Sequence, residues 1–313
     1  MPLGWLLCLT AAVFAVAAVR RGGRNAGAGT SPSRRALARL ADDRTAMAAL
    51  FVLAALATMA VLAPMIAPWA PNAQPDPVLL KNLPPSLSHP FGTDFASRDV
   101  FSRVLYGGRI SLAVAALAVL LSTVVGTAYG AIAGFYGGRL DGLMMRGLDA
   151  ALAVPRLLLV MAVVAIAQAV TVPALVLLLG LTGWFGTSRM VRAHVLTLRE
   201  QDLTTAARAL GARDREILWR HLLPNVLSTL IVAATLSLGN VIILEASLSY
   251  LGIGIRPPTP SWGNIIEEGS SQLATVWWMA LFPGIAIVAT VLAINTLGDA
   301  LRDALDPRTV DVR

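Results

Sequence analysis

Charge is scarce in this 313-residue sequence: Asp, Glu, Lys and Arg make up 14% of it, against roughly 25% in a soluble domain. So little polar side chain cannot cover a large soluble core. There is one cysteine, Cys8, so no internal disulfide can form. The three histidines, His89, His194 and His221, are far apart and belong to no H-E-x-x-H or Cys/His spacing, which argues against a metal site. The single lysine, Lys81, follows Q-P-D-P-V-L-L. A phosphate loop needs G-x-x-x-x-G-K, with backbone amides around the phosphates and the lysine upon them, so this chain has none. It also has no G-x-S-x-G nucleophile elbow. The G-x-G at Gly252–Gly254 runs into Ile255-Arg256-Pro257 and cannot open a helix around a pyrophosphate. Nothing marks an enzyme active site or a cofactor. The net charge of +7 sits in loop arginines and does not point to nucleic acid.

What the sequence has instead is apolar length. It is 56% hydrophobic, with a mean hydropathy of +0.70. Runs near 20 residues, the length that spans a bilayer as a helix, occur at about 46–67, 110–134, 147–170, 172–190, 226–249 and 277–298. The reading is an all-α polytopic membrane protein. Between the spans lie a basic stretch at 20–44, a Pro-rich loop at 68–109, a short turn at 135–146, a charged hairpin, a loop at 250–276 and a short tail.

Cytoplasmic loops are enriched in Lys and Arg. With 20–44 inside and the spans alternating, nineteen basic residues fall inside. They are Arg20, Arg21, Arg24, Arg34, Arg35, Arg39, Arg44, Arg139, Arg146, Arg302, Arg308, Arg313 and the seven from Arg189 to Arg220. Five fall outside: Lys81, Arg98, Arg103, Arg109 and Arg256. The hairpin and the C-terminus are therefore expected in the cytoplasm and the Pro-rich loop outside. Leu3–Val19 is a further apolar run at the short limit for a span. No basic side chain precedes it, which disfavours a cleaved signal peptide. Either it is an extra span with its N-terminus outside, or translation starts further downstream. In the outer loop, Asp99–Tyr106 reads as a short amphipathic surface helix, with Val100, Val104 and Leu105 on one side.

The hairpin is the most informative stretch. Residues 203–225 read L-T-T-A-A-R-A-L-G-A-R-D-R-E-I-L-W-R-H-L-L-P-N. Leu203, Ala206, Ala207, Leu210, Ile217 and Leu218 recur at helical spacing. Gly211 can end the first helix with positive φ, and Pro224 can start the next span. Ala206 and Ala207 let another backbone approach closely, and the arginines suit an acidic partner or anionic lipid. An interfacial amphipathic helix would read similarly.

The A-A-x-x-x-G…L-P pattern of Ala206, Ala207, Gly211, Leu223 and Pro224 resembles the cytoplasmic EAA loop (here 189–225) of permease subunits in bacterial ATP-binding-cassette importers. Thr205 stands at the usual glutamate, so no ion pair is carried over there. Three further stretches resemble the second permease subunit of the dipeptide/oligopeptide branch. They are H-P-F-G-T-D-F-A-S-R-D-V-F-S-R-V-L-Y-G-G-R-I-S-L at 89–112, E-A-S-L-S-Y-L-G-I-G at 245–254 with the P-P-T-P-S-W-G-N that follows it, and G-D-A-L-R-D-A-L-D-P-R at 298–308. That branch commonly has glycine at the place of Ser97. The resemblance divides the chain into an extension at 1–33 and a permease domain at 34–313. It implies a homologous permease partner in a heterodimer, two cytoplasmic ATPases that carry ATP and Mg and receive the hairpins, and an external peptide-binding protein. It also implies the bacterial inner membrane. A nickel-type solute on the same architecture, a stand-alone secondary transporter and a membrane scaffold are the alternatives. The hairpin argues against a lone carrier, which needs no ATPase dock.

Asn240 and Glu245 fall in the fifth span, and Asn295 and Asp299 near the inner end of the sixth. Ionisable groups at such depth face a bundle interior or water. Glu245 is read either as a path-lining, gating carboxylate or, preferentially, as a structural partner of a helix or loop arginine. Arg156 is expected to snorkel inward, and Trp277 and Trp278 to anchor the interface.

Overall fold

Three of the long helices begin at a side chain that accepts from their free backbone amides: Asp43, Asp99 and Thr171. The computed structural model describes residues 2–24, 32–167 and 170–305; the side chains of Arg24, Arg34, Arg35 and Leu203 lie outside this description, as do Arg308 and Arg313. Helices α1 (Pro2–Arg24) and α2 (Pro32–Asp42) precede α3 (Arg44–Val61). Asp43 caps α3 by accepting from Thr45 N at 2.8 Å and Ala46 N at 3.3 Å. The Thr45 hydroxyl, with these amides, holds its carboxyl below the usual range. One short turn, α4 (Ala63–Ile66), leads into the Pro-rich loop.

Helix α5 (Val100–Tyr136) runs for 37 residues without a break. Asp99 caps it by accepting from Ser102 N at 2.8 Å. The segment 99–106 is therefore the first turns of a long helix and not a separate surface helix. Val100, Phe101, Val104 and Leu105 are all buried: Phe101 and Leu105 pack with Cys8, Ala63 and Ile66, and Val100 and Val104 join the cluster that holds Trp262 and Ile265. Next come α6 (Gly138–Leu152) and α7 (Arg156–Ala167), bent by 76° at residues 153–155. The expected turn at 135–146 is thus largely helical, and the apolar run expected at 147–170 is interrupted by this bend, with residues 168 and 169 outside the described residues. Helix α8 (Val172–Arg199) extends well beyond 190. Short α9 (Asp202–Ala209) and α10 (Asp214–Glu216) form the hairpin, followed by a π-helical turn at Ile217–Leu222 and α11 (Leu223–Tyr250). Helix α12 (Trp262–Ser270) lies within the expected 250–276 loop, and α13 (Trp278–Leu305) closes the fold. Among the described residues five helices are long and apolar enough to cross a membrane, and the bent α6–α7 pair, counted as one span, makes a sixth.

The seam between α5 and α8 is built on glycine. Gly126, Gly130 and Gly134 recur every fourth residue and so share one face of α5. The carbonyl oxygens of Trp184 and Arg192 lie 2.8 Å from where a Cβ would sit at Gly126 and Gly134, and that of Ser188 crowds Gly130. In a bilayer, where burial against lipid gives no hydrophobic gain, such close backbone approach is a main source of helix association.

Helix α1 runs antiparallel to α3. Cys8 packs with Ala63, Ile66, Phe101 and Leu105 at the Pro-rich end. Val16 and Val19 pack near Leu40, Met47 and Leu297 at the opposite end.

Candidate functional site

The hairpin is fastened to the bundle on one side and bare on the other. Arg199 Nη1 donates to the carbonyls of Gly134 (3.3 Å) and Phe135 (3.0 Å), which end α5. Thr204 Oγ1 donates to Leu198 O at 2.9 Å. Beneath it, Val191, Val195, Ile217, Leu222 and Val226 form a buried cluster with Ala131 and Phe135, and Ala207 packs against this cluster. The two alanines are therefore divided: Ala207 faces this chain, and Ala206 is exposed. Gly211 has φ +81°, as expected from its place, and an added Cβ there would meet nothing within 4 Å.

Several of the hairpin arginines turn out to be internal ties. Arg192 grips Asp141 through Nε at 2.5 Å and Nη2 at 2.6 Å, and Arg189 pairs with Asp149, so both hold α6. Arg220 pairs with Glu216. No carboxylate among the described residues pairs with Arg213 or Arg215, which line a cleft of about 530 Å³ with Glu216, Trp219 and Arg220. Beside them Leu210 is 89% and Trp219 63% exposed. Sequence reasoning did not single out Trp219, although a tryptophan set among charges was a signal. Leu223 is half-buried and Pro224 exposed. Pro224 does not begin a new span: Asp214–Tyr250 is one continuous helix. The wider π turn just before it makes room for a ring that would otherwise meet a carbonyl of the preceding turn.

At the other end, the Pro-rich loop is locked down by charge. Arg103 is fully buried; its Nη1 donates to Asp94 Oδ2 (2.6 Å) and Glu268 Oε2 (2.5 Å), and its Nη2 to Glu268 Oε1 (2.9 Å). Arg98 bridges the same two carboxylates at 2.5 and 2.6 Å. Two cations balance two anions, which is what makes such burial tolerable. His89 Nδ1 and Asp99 Oδ1 lie 2.9 Å apart beside them. Ser97 has φ +61°, and its buried hydroxyl has no partner among the described residues.

Polar residues of the spans do not converge. Glu245 is wholly buried. Its Oε2 accepts from Ser111 Oγ and its Oε1 from Ser249 Oγ, both at 2.8 Å. Ser111 Oγ in turn accepts from Trp262 N at 3.4 Å, and Ser249 Oγ from Ile255 N at 3.1 Å. The expected arginine partner is replaced by two hydroxyls that link α5, α11 and the start of α12. Asn240 and Asn295 are exposed, on α11 and α13. Arg156 does not snorkel inward: its Nη2 donates to Leu179 O at 2.7 Å, and its Nε lies 3.3 Å from Thr182 Oγ1. Of the two tryptophans, Trp277 is exposed as expected, whereas Trp278 is buried and donates to Thr93 O at 3.0 Å.

A bundle of apolar helices with a polar, apolar-tipped hairpin at one end has the architecture of an importer permease subunit. Residues 126–311 match the family described as binding-protein-dependent transport system inner membrane component. Residues 31–85 match the N-terminal TM domain of oligopeptide transport permease C. A Brucella suis biovar 1 protein carrying the name peptide permease is 41% identical over 292 residues, 93% of this chain and 96% of its own. The dipeptide transport system permease protein DppC of Bacillus subtilis is 40% identical over 271 residues, 86% and 84% of the two chains. The chain belongs to the binding-protein-dependent transport system inner membrane component family, as a multi-pass permease subunit of an ATP-binding-cassette importer.

Proposed function

We propose that this chain is one permease half of a peptide importer. It pairs with a homologous permease subunit, docks two ATPases that carry ATP and Mg, and receives peptide from an external binding protein. The observation that carries the coupling role is the bare hairpin tip, where Leu210 and Trp219 are exposed beside arginines. Exposed apolar groups rimmed by charge fit a groove on a soluble partner. Ala206 lies on this outward side; Ala207, Gly211, Leu223 and Pro224 shape and hold the hairpin. The names of the relatives support peptide as the solute. The arginine distribution supports a cytoplasmic hairpin and C-terminus. The run of α1 alongside α3 through the same depth supports an additional span with its N-terminus outside.

The test is reconstitution with the partner chains in proteoliposomes. Peptide uptake should require ATP, and the permease alone should hydrolyse none. Gly211→Val places a β-branched side chain at φ +81°, where only glycine is at ease. It should leave the bundle folded but reduce ATPase co-purification and uptake together. Wild-type co-purification with normal uptake in Gly211→Val would refute the docking role. Nickel uptake without peptide uptake would replace the substrate.

A further inference from the structure

Arg156 opens α7 at the 76° bend between α6 and α7. With Val154, Pro155, Thr182, Gly183 and Gly186 it lines a cavity of about 190 Å³. Its depth follows from α8. Thr182, which the guanidinium touches, is ten residues from Val172 and seventeen from Arg199, about 15 and 25 Å along the helix. In a hydrocarbon core about 30 Å thick, that is close to half-depth. The side chain reaches toward Leu179, away from the hairpin end. No carboxylate among the described residues pairs with it.

Two costly features thus coincide at one level. A cation lies in the bundle without a counter-ion among the described residues, and the helix beside it is interrupted, with Val154 and Pro155 exposed. Irregular backbone at membrane depth persists only where it is buried in protein or lines a water-filled cavity. Deep ionisable groups likewise face water or a bundle interior. Helix α7 packs on this chain chiefly against α8, so its other side is left open. We propose that the Arg156 cavity is a site in the translocation path that binds the carboxylate of the transported solute. The Nε and Nη2 contacts to Thr182 and Leu179 fix the guanidinium plane. The remaining edge is free to take a carboxylate through paired N–H bonds. Lipid phosphates sit at the two interfaces, far from this level.

This inference rests on the peptide reading above, and its test keeps the two apart. In the same proteoliposomes, a transported peptide and its C-terminal amide are compared, each at saturation of the binding protein. Arg156→Gln should slow the free-acid peptide about tenfold more than the amide, as expected for loss of one charge-assisted bond. Arg156→Lys should retain part of the preference. Equal slowing of both peptides, or of neither, overturns the site while leaving the importer reading intact. A requirement for anionic lipid lost with Arg156→Gln, with no change in acid/amide preference, also overturns it by assigning the site to lipid. Absence of wild-type uptake of any peptide would fail the underlying reading first, and the inference with it. Should Arg156→Gln not assemble, Gly186→Leu serves: a Cβ at Gly186 meets nothing within 4 Å, so the side chain fills the cavity. It should slow the free acid selectively, and wild-type rates for both peptides would overturn the proposal.

Discussion

Ser97 shows how much one backbone angle can decide. A left-handed φ of +61° costs an L-residue roughly 1–2 kcal/mol, and its buried hydroxyl is unpartnered among the described residues. Glycine removes both penalties but gives the unfolded chain more freedom, which offsets part of the gain. Ser97→Gly should therefore stabilise the protein by about 1 kcal/mol, read as a raised thermal midpoint in detergent. A lowered midpoint would show that the hydroxyl makes a bond worth more than the strain. Glycine adopts this angle without strain. The sequence alone offered a departure from a pattern; the structure supplies the angle.

Where elements meet, the hydroxyl-bound carboxylate of Glu245 joins α5, α11 and α12. Glu245→Gln keeps the shape, but an amide must donate where the carboxylate accepted. One serine hydroxyl then loses its acceptor, at a cost of about 1–3 kcal/mol. The expected result is a lower melting temperature with uptake per folded complex nearly unchanged. A stable complex that hydrolyses ATP without uptake would instead place Glu245 in the path. The five long apolar helices were legible because apolar runs report length directly; the bend inside the run at 147–170 was not. The hairpin break was legible too, because Gly211 has one conformational use there. Helix continuity was not. Asp99–Tyr106 and the 214–225 segment look separate because charge and proline interrupt the apolar pattern, yet neither interrupts the helix. One partner of Glu245 and one of Arg103 were hidden for another reason: Ser111 and Glu268 lie more than a hundred residues away in sequence, whereas Ser249 and Asp94 are close by. The glycine seam at 126, 130 and 134 was readable in spacing, but only the carbonyls of α8 show what it faces.

On the scale of the whole molecule, the charge distribution sets a direction. In a Cys8→Ser background, cysteines at the exposed positions Ser86 and Thr205 should react with impermeant reagent from opposite sides of intact cells, Ser86 from outside. Labelling of Thr205→Cys from outside would invert the topology and remove the hairpin from the ATPases. The same end-to-end view gives the unbroken helix Asp214–Tyr250 a mechanical meaning. Its 37 residues make a rod about 55 Å long, anchored at one end in the hairpin and at the other in the Glu245 knot. Tilting such a rod by about 10° sweeps its far end through roughly 10 Å. On the docking role proposed above, a push at the hairpin would reach the Glu245 end as a rigid tilt, and the elements held there, α5 and α12, would move with it.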